Sequence, residues 1–146
     1  MTIGIGVTFG AFDLLHAGHA LFLHSCREHC EELIVGLHVD PSIERIQKNK
    51  PIQSVTERHF QLESYADLII PYETERDLWN IVASINDLEY YFVGSDYQPK
   101  DWIPPTLKEI IEQRDIMVKY IDRYHNYSST ELRKRVYNNE KAASNN

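Results

Sequence analysis

Hydrophobic and polar positions change period along the chain in regular blocks. Ile3 to Phe9 mixes apolar residues with glycine, the pattern of a strand buried on both faces. Gly10 to His16 reads as a turn. Gly18 to Cys30 reads as a helix, with Ala20, Leu21, Leu23 and Cys26 on its apolar side. Glu32 to Val39 is a second strand. A polar stretch from Asp40 to Ser54 follows and reads as a loop. Glu57 to Tyr65 is a helix, and Leu68 to Ile70 a third strand stopped by Pro71.

The alternation continues. Leu78, Ile81, Val82 and Ile85 recur at helical spacing within Glu75 to Ile85. Tyr90 to Val93 is a fourth strand ended by Gly94. Pro99 to Pro105 punctuates a loop, and Leu107, Ile110 and Ile111 mark a helix. Ile116 to Ile121 is a fifth strand. Ser128 with Glu131 predicts a capping box for a last helix. Strands alternating with helices predict an α/β fold: one Rossmann-like doubly wound domain with a five-stranded parallel sheet. The domain is expected over residues 1–138, with 139–146 a flexible tail.

Composition narrows the function classes. The chain has 146 residues, enough for one domain with a sizeable core. Fifteen Lys and Arg against 22 Asp and Glu leave a net charge of −7, which argues against a general basic surface for nucleic acid. A local basic pocket for a small phosphorylated ligand is compatible with that balance. Cys26 and Cys30 are too few for a disulfide scaffold, and their spacing predicts two buried thiols on one helix face. No leader pattern and no run of roughly 18 apolar residues is found, so a cytoplasmic protein is expected, with no membrane partner.

In such sheets ligands bind beyond the carboxyl ends of the strands. After the first strand comes Thr8-Phe9-Gly10-Ala11-Phe12-Asp13-Leu14-Leu15-His16-Ala17-Gly18-His19. It is neither a GxGxxG fingerprint nor a Walker A loop. Two histidines instead flank a glycine at the mouth of a helix. Helix-terminal N–H groups attract phosphate, and imidazoles there donate to phosphoryl oxygens as charge builds. Gly18 allows close approach to the backbone. After the fifth strand, Arg123 precedes the hydroxyls of Ser128, Ser129 and Thr130 at another helix start. A triphosphate held between the two helix starts would explain both.

The first of these segments resembles the HxGH signature of the nucleotidylyltransferase superfamily. Gly10 to His19 is most similar to the cytidylyltransferase-like branch, and motif order and size resemble the glycerol-3-phosphate cytidylyltransferases. The resemblance implies that His16 and His19 contact the nucleotide phosphates. It assigns Lys48 and Lys50 to a mobile loop reaching the triphosphate and the second substrate, and Arg58 to the substrate phosphate. Asp40 follows the second strand as an Asp does in the family. Gly94-Ser95-Asp96-Tyr97 resembles the family's Gly-Asp-Asp-Trp or Gly-Gly-Asp-Tyr, and Arg123 to Thr130 its Arg-Thr-x-Gly-x-Ser-Thr-Thr.

The catalytic set so expected is His16, His19, Lys50 and Arg123. Nucleotide contacts are expected from Thr8, Phe9, Gly10, Phe12, Gly18, Lys48, Gly94, Asp96, Ser128, Ser129 and Thr130. Acceptor contacts are expected from Asp13, Asp40, Arg58 and Tyr97. The implied reaction is direct attack by a small phosphorylated alcohol or sugar on an NTP, CTP first, with Mg²⁺ on the triphosphate and release of pyrophosphate. A homodimer is implied too; Trp79, Tyr90 and Tyr91 fit either an exposed contact or core packing.

Three departures mark this chain. Ser64-Tyr65-Ala66-Asp67 lacks an arginine that the glycerol enzymes carry, Asn126 stands for a glycine, and Ser95 and Tyr97 replace Asp and Trp. Lys50-Pro51-Ile52 and Gly94 to Pro99 lean toward sugar-phosphate adenylyltransferases, so a heptose 1-phosphate with ATP is the alternative pairing. A catalytically silent nucleotide-binding module is the alternative of another class.

Overall fold

The computed structural model describes residues 4–95, 103–123 and 125–145. The order is β1 (Ile5–Gly10), α1 (Ala17–Glu28), β2 (Glu32–His38), α2 (Val55–Leu62), β3 (Leu68–Tyr72), α3 (Glu75–Ser84), β4 (Leu88–Gly94), α4 (Pro105–Gln113), β5 (Met117–Ile121) and α5 (Ser129–Ser144). The strands form one parallel sheet in the order β3-β2-β1-β4-β5. The expected α/β doubly wound class is the observed one. Strand order reverses between β1 and β4, which opens a crevice at their carboxyl ends.

Period-two alternation in β2 explains the two cores. Leu33, Val35 and Leu37 face one side with Leu23, Cys26, Cys30 and Leu62 of the α1 and α2 layer. Ile34 faces the other side with Val82, Leu107 and Ile111 of the α3 and α4 layer. Both thiols are buried as expected, but α1 ends before Cys30, so the two do not share a helix face; Cys30 Sγ donates to the Cys26 carbonyl at 3.4 Å. Tyr91 is core, and Trp79 and Tyr90 pack against the two clusters, so these aromatics serve packing.

Several boundaries move for identifiable reasons. β3 runs through Pro71 to Tyr72. It is an edge strand, where a missing N–H is tolerated. α2 starts two residues before Glu57, because Ser54 and Glu57 form a reciprocal capping box. α5 continues to Ser144, through most of the stretch expected as a tail. No residue of α5 is buried. Polar contacts therefore carry its attachment: the Ser129 hydroxyl donates to the Asp13 carbonyl (3.1 Å), and Arg133 pairs with the Asp13 carboxylate (2.9 Å).

Candidate active site

A cavity of about 590 Å³ lies over the crevice between β1 and β4. Its walls include the end of β1, the β1–α1 turn, Gly94 of β4 and the loop from β5 into α5. Its size is that of a small-ligand site.

The turn after β1 is bent tightly. Phe12 and Leu14 have φ of 50° and 51°, in the left-handed region that bulky residues avoid. The surroundings hold them there. Leu14 N–H donates to Gln53 Oε1 at 2.7 Å. The Asp13 carboxylate accepts from Ile52 N–H, Gln53 N–H and Arg133 Nη2, each at 2.9 Å. Burial alone would raise the Asp13 carboxyl; the hydrogen bonds from Gln53 and Ile52, with Arg133, outweigh it and hold it below its ordinary value.

The turn delivers His16 to the N-cap of α1. His16 Nδ1 accepts from Gly18 N–H at 3.0 Å, and His16 N–H donates to His19 Nδ1 at 3.3 Å. Two imidazoles thus build the capping box usually made by Ser and Glu. Because each Nδ1 is an acceptor, each neutral ring carries its proton on Nε2. The rings stack with centroids 3.9 Å apart. Burial, reinforced by His16, pushes the His19 pKa down to about 3. Burial also lowers His16, with His125, Arg123 and Arg135 adding to the effect. The pair at neutral pH is therefore two oriented, uncharged N–H donors. Gly18 between them has no space for a side chain: a Cβ would stand 2.8 Å from the His16 ring and 2.9 Å from that of His125.

Thr8, Phe9, Gly10, Phe12, Asp13, His16, His19, Lys48, Gly94, Arg123, Ser128, Ser129 and Thr130 all line the cavity. Not all present a side chain for binding. The Thr8 hydroxyl donates to the Phe92 carbonyl at 3.0 Å and pins β1 to β4. Phe12 packs against His19, centroids 5.4 Å apart. Ser128 Oγ accepts from Glu131 N–H and caps α5. Arg123 Nη2 donates to the Tyr127 carbonyl at 2.7 Å, and Arg123 N–H to Ser95 Oγ.

Other expected site residues sit elsewhere. Lys50 and Asp40 line a smaller adjoining cleft. Arg58 is a correction: it is 2% exposed and is not offered to a substrate phosphate. Its guanidinium donates to the carbonyls of Gln53 (3.1 Å), Ala11 (3.0 Å), His38 (2.7 Å) and Val39 (2.7 Å). It is a clamp that joins the β1–α1 turn to the end of β2 and both ends of the β2–α2 loop, and it shapes the site from beneath. Asp96 and Tyr97 lie outside the described residues.

The cavity also holds residues that sequence reasoning did not single out for it: His38, Arg45, His125 and Arg133. Arg133 had a legible signal, since it stands four residues after Ser129 and shares its helix face. Arg45, paired with Glu75 at 2.6 Å, had none.

A 3-2-1-4-5 parallel sheet with a His-x-Gly-His helix start at its switch point defines a nucleotidylyltransferase-type α/β domain. The comparisons agree: residues 7–135 match the family described as cytidylyltransferase-like, and the chain belongs to that family. It is similar to the bifunctional protein HldE of Nitrobacter winogradskyi, 34% identical over 135 residues that cover 90% of this chain and 27% of that protein. The HldE of Aliarcobacter butzleri is 29% identical over 92% of this chain and 27% of its own length. The chain thus spans about a quarter of the length of these relatives. The fold is also that of the lipopolysaccharide core biosynthesis protein of Thermoplasma volcanium, with a TM-score of 0.62 at 24% identity, covering 85% of this chain and 98% of that one. Pantothenate synthetase of Thermus thermophilus shares it with a TM-score of 0.52 at 14% identity, over 90% of this chain and 64% of that one. Among the described residues no helix is long and apolar enough to cross a membrane.

Proposed function

We propose that the protein transfers a nucleoside monophosphate from an NTP to a small phosphorylated acceptor. An acceptor phosphate oxygen attacks the α-phosphorus in line, the bond to the bridging oxygen breaks, and pyrophosphate leaves with the electron pair. The acceptor is already a nucleophile, so no side chain forms a covalent intermediate. The observation that carries the reading is the stacked pair His16 and His19. Both rings are neutral, both Nδ1 atoms are occupied by backbone N–H groups, and both line the cavity with the start of α5. Such preoriented donors strengthen as charge builds on phosphoryl oxygens. Arg123 and Lys48 at the same cavity supply positive charge, and Lys50 stands beside it for the acceptor side.

Among the described residues no cluster of three or more His, Cys, Asp or Glu forms a cage for a metal ion. Mg²⁺ in this proposal therefore travels with the triphosphate, and no protein residue is assigned to it.

For the substrate pair, ATP with a sugar 1-phosphate is favoured over CTP with glycerol 3-phosphate. In sequence, Lys50-Pro51-Ile52 and Gly94 to Pro99 resemble the sugar-phosphate adenylyltransferases, and Arg58, expected at the glycerol enzymes' acceptor phosphate, is committed to backbone carbonyls. A matrix of four NTPs against heptose 1-phosphate, glycerol 3-phosphate and ethanolamine phosphate, read by pyrophosphate release, tests both levels. Release with ATP and the sugar phosphate is expected. Release with none of the pairs would leave a silent nucleotide-binding module as the reading.

A further inference from the structure

His125 belongs to a different element from the His16 and His19 pair, yet reaches the same point. It stands in the loop between β5 and α5 and lines the cavity. Its Cε1 would lie 2.9 Å from a Cβ at Gly18, beside His16 Cε1 at 2.8 Å. Two imidazoles from opposite walls therefore close over one residue in the first turn of α1. The glycine there is what lets both approach.

The ring is oriented by the same device as the other two. His125 Nδ1 accepts from Tyr127 N–H at 3.2 Å, which places the proton of the neutral ring on Nε2. The Tyr127 ring stacks on it, centroids 5.3 Å apart and planes 25° apart. Three imidazoles of one cavity thus each spend Nδ1 on a backbone N–H. A packing histidine has no need of that repetition; a set of N–H donors for one anionic group does.

We propose that His125 is a third imidazole donor of the site, hydrogen-bonding through Nε2 to the polyphosphate of the nucleotide and to the pyrophosphate that leaves. This rests on the transfer reading for its ligand and on the geometry above for its contact. The start of α1 and the start of α5 would then grip the same polyphosphate, with His125 bridging the two walls.

The test is pyrophosphate binding to the full chain by calorimetry, for wild type, His125→Ala and His125→Gln. The dissociation constant of His125→Ala is expected to rise about fivefold or more, and that of His125→Gln, which keeps an N–H donor, to fall between. Affinity in His125→Ala within about twofold of wild type overturns the proposal. So does a wild type that binds no pyrophosphate. Should His125→Ala fail to fold, imidazole ¹⁵N spectra of the wild type decide: a shifted His125 Nε2 resonance on saturation with pyrophosphate supports the contact, and an unmoved one overturns it. Failure of the transfer reading looks different. In that case pyrophosphate binds in a His125-dependent way, but no NTP and acceptor pair releases it. Turnover with a kcat/KM that His125→Ala leaves unchanged overturns the role of His125 alone.

Discussion

The starts of α1 and α5 face one cavity and are built from opposite materials. At α1 the cap is His16, and the group that answers it three residues on is His19. The residues that hold the helix end are the residues offered to the ligand. At α5 the cap is Ser128, while Ser129 and Arg133 reach back to Asp13. Capping and attachment are divided among different side chains there. α1 also buries Leu23 and Cys26 in the core, whereas α5 buries nothing. The same anion-attracting geometry is therefore rigid by burial on one wall and held by a few polar links on the other. Stability and activity are inseparable at α1 and separable at α5.

Breaking the link between the walls is expected to have the largest effect. Asp13→Ala removes the acceptor of two backbone N–H groups and strands Arg133, which costs about 3 kcal/mol by denaturant unfolding. A stability within error of wild type would dissolve the idea that Asp13 joins the walls. His16→Ala should lower pyrophosphate release at least roughly tenfold, together with about 1 kcal/mol of stability from the lost cap. Unchanged turnover would remove the proposed role of the pair.

A pH titration sharpens the comparison further. The folded-state pKa of His19, about 3, lies below its ordinary 6.5, so folding prefers the neutral ring. Its stabilisation is complete above about 6.5 and is lost as pH falls toward 3, by at most about 1.4 kcal/mol per pH unit. Asp13 acts in the same direction at lower pH, since its folded carboxyl is held below 3.8 and its contribution is lost as pH falls through that folded value. Unfolding measured from pH 7 to pH 4 should show declining stability that His19→Gln flattens. An identical slope in the variant would place the acid sensitivity elsewhere. The smallest effect is expected at Ser128→Ala, about 1 kcal/mol or less of stability with turnover nearly intact. A large activity loss there would mean that the α5 cap, like the α1 cap, touches the ligand.

Much of the site was legible because its parts sit at the ends of strands. His16, His19, Arg123 and Ser128 to Thr130 follow β1 and β5 in the chain, and a parallel sheet places the carboxyl ends of both, with β4 between them, along one edge. Arg58 was misread for a physical reason. An arginine at a helix start near a phosphate site and one that gathers four carbonyls look alike in sequence. The carbonyls it needs come from residues 11, 38, 39 and 53, which only folding brings together. The length of α5 was misread because its Asn-rich, polar sequence lacks an apolar stripe. The helix is nonetheless capped at Ser128 and anchored by Arg133.

By itself the chain determined the class of sheet, the two layers of helices and the His-x-Gly-His helix start, since all three follow from local period and short spacing. The tertiary structure alone decided which nitrogen of each histidine carries the proton, that both rings are neutral, that Arg58 is a clamp, and that His125 meets His16 over Gly18. Each of these depends on partners far apart in sequence, on burial, or on the field of neighbouring charges, quantities that exist only once the backbone has closed on itself.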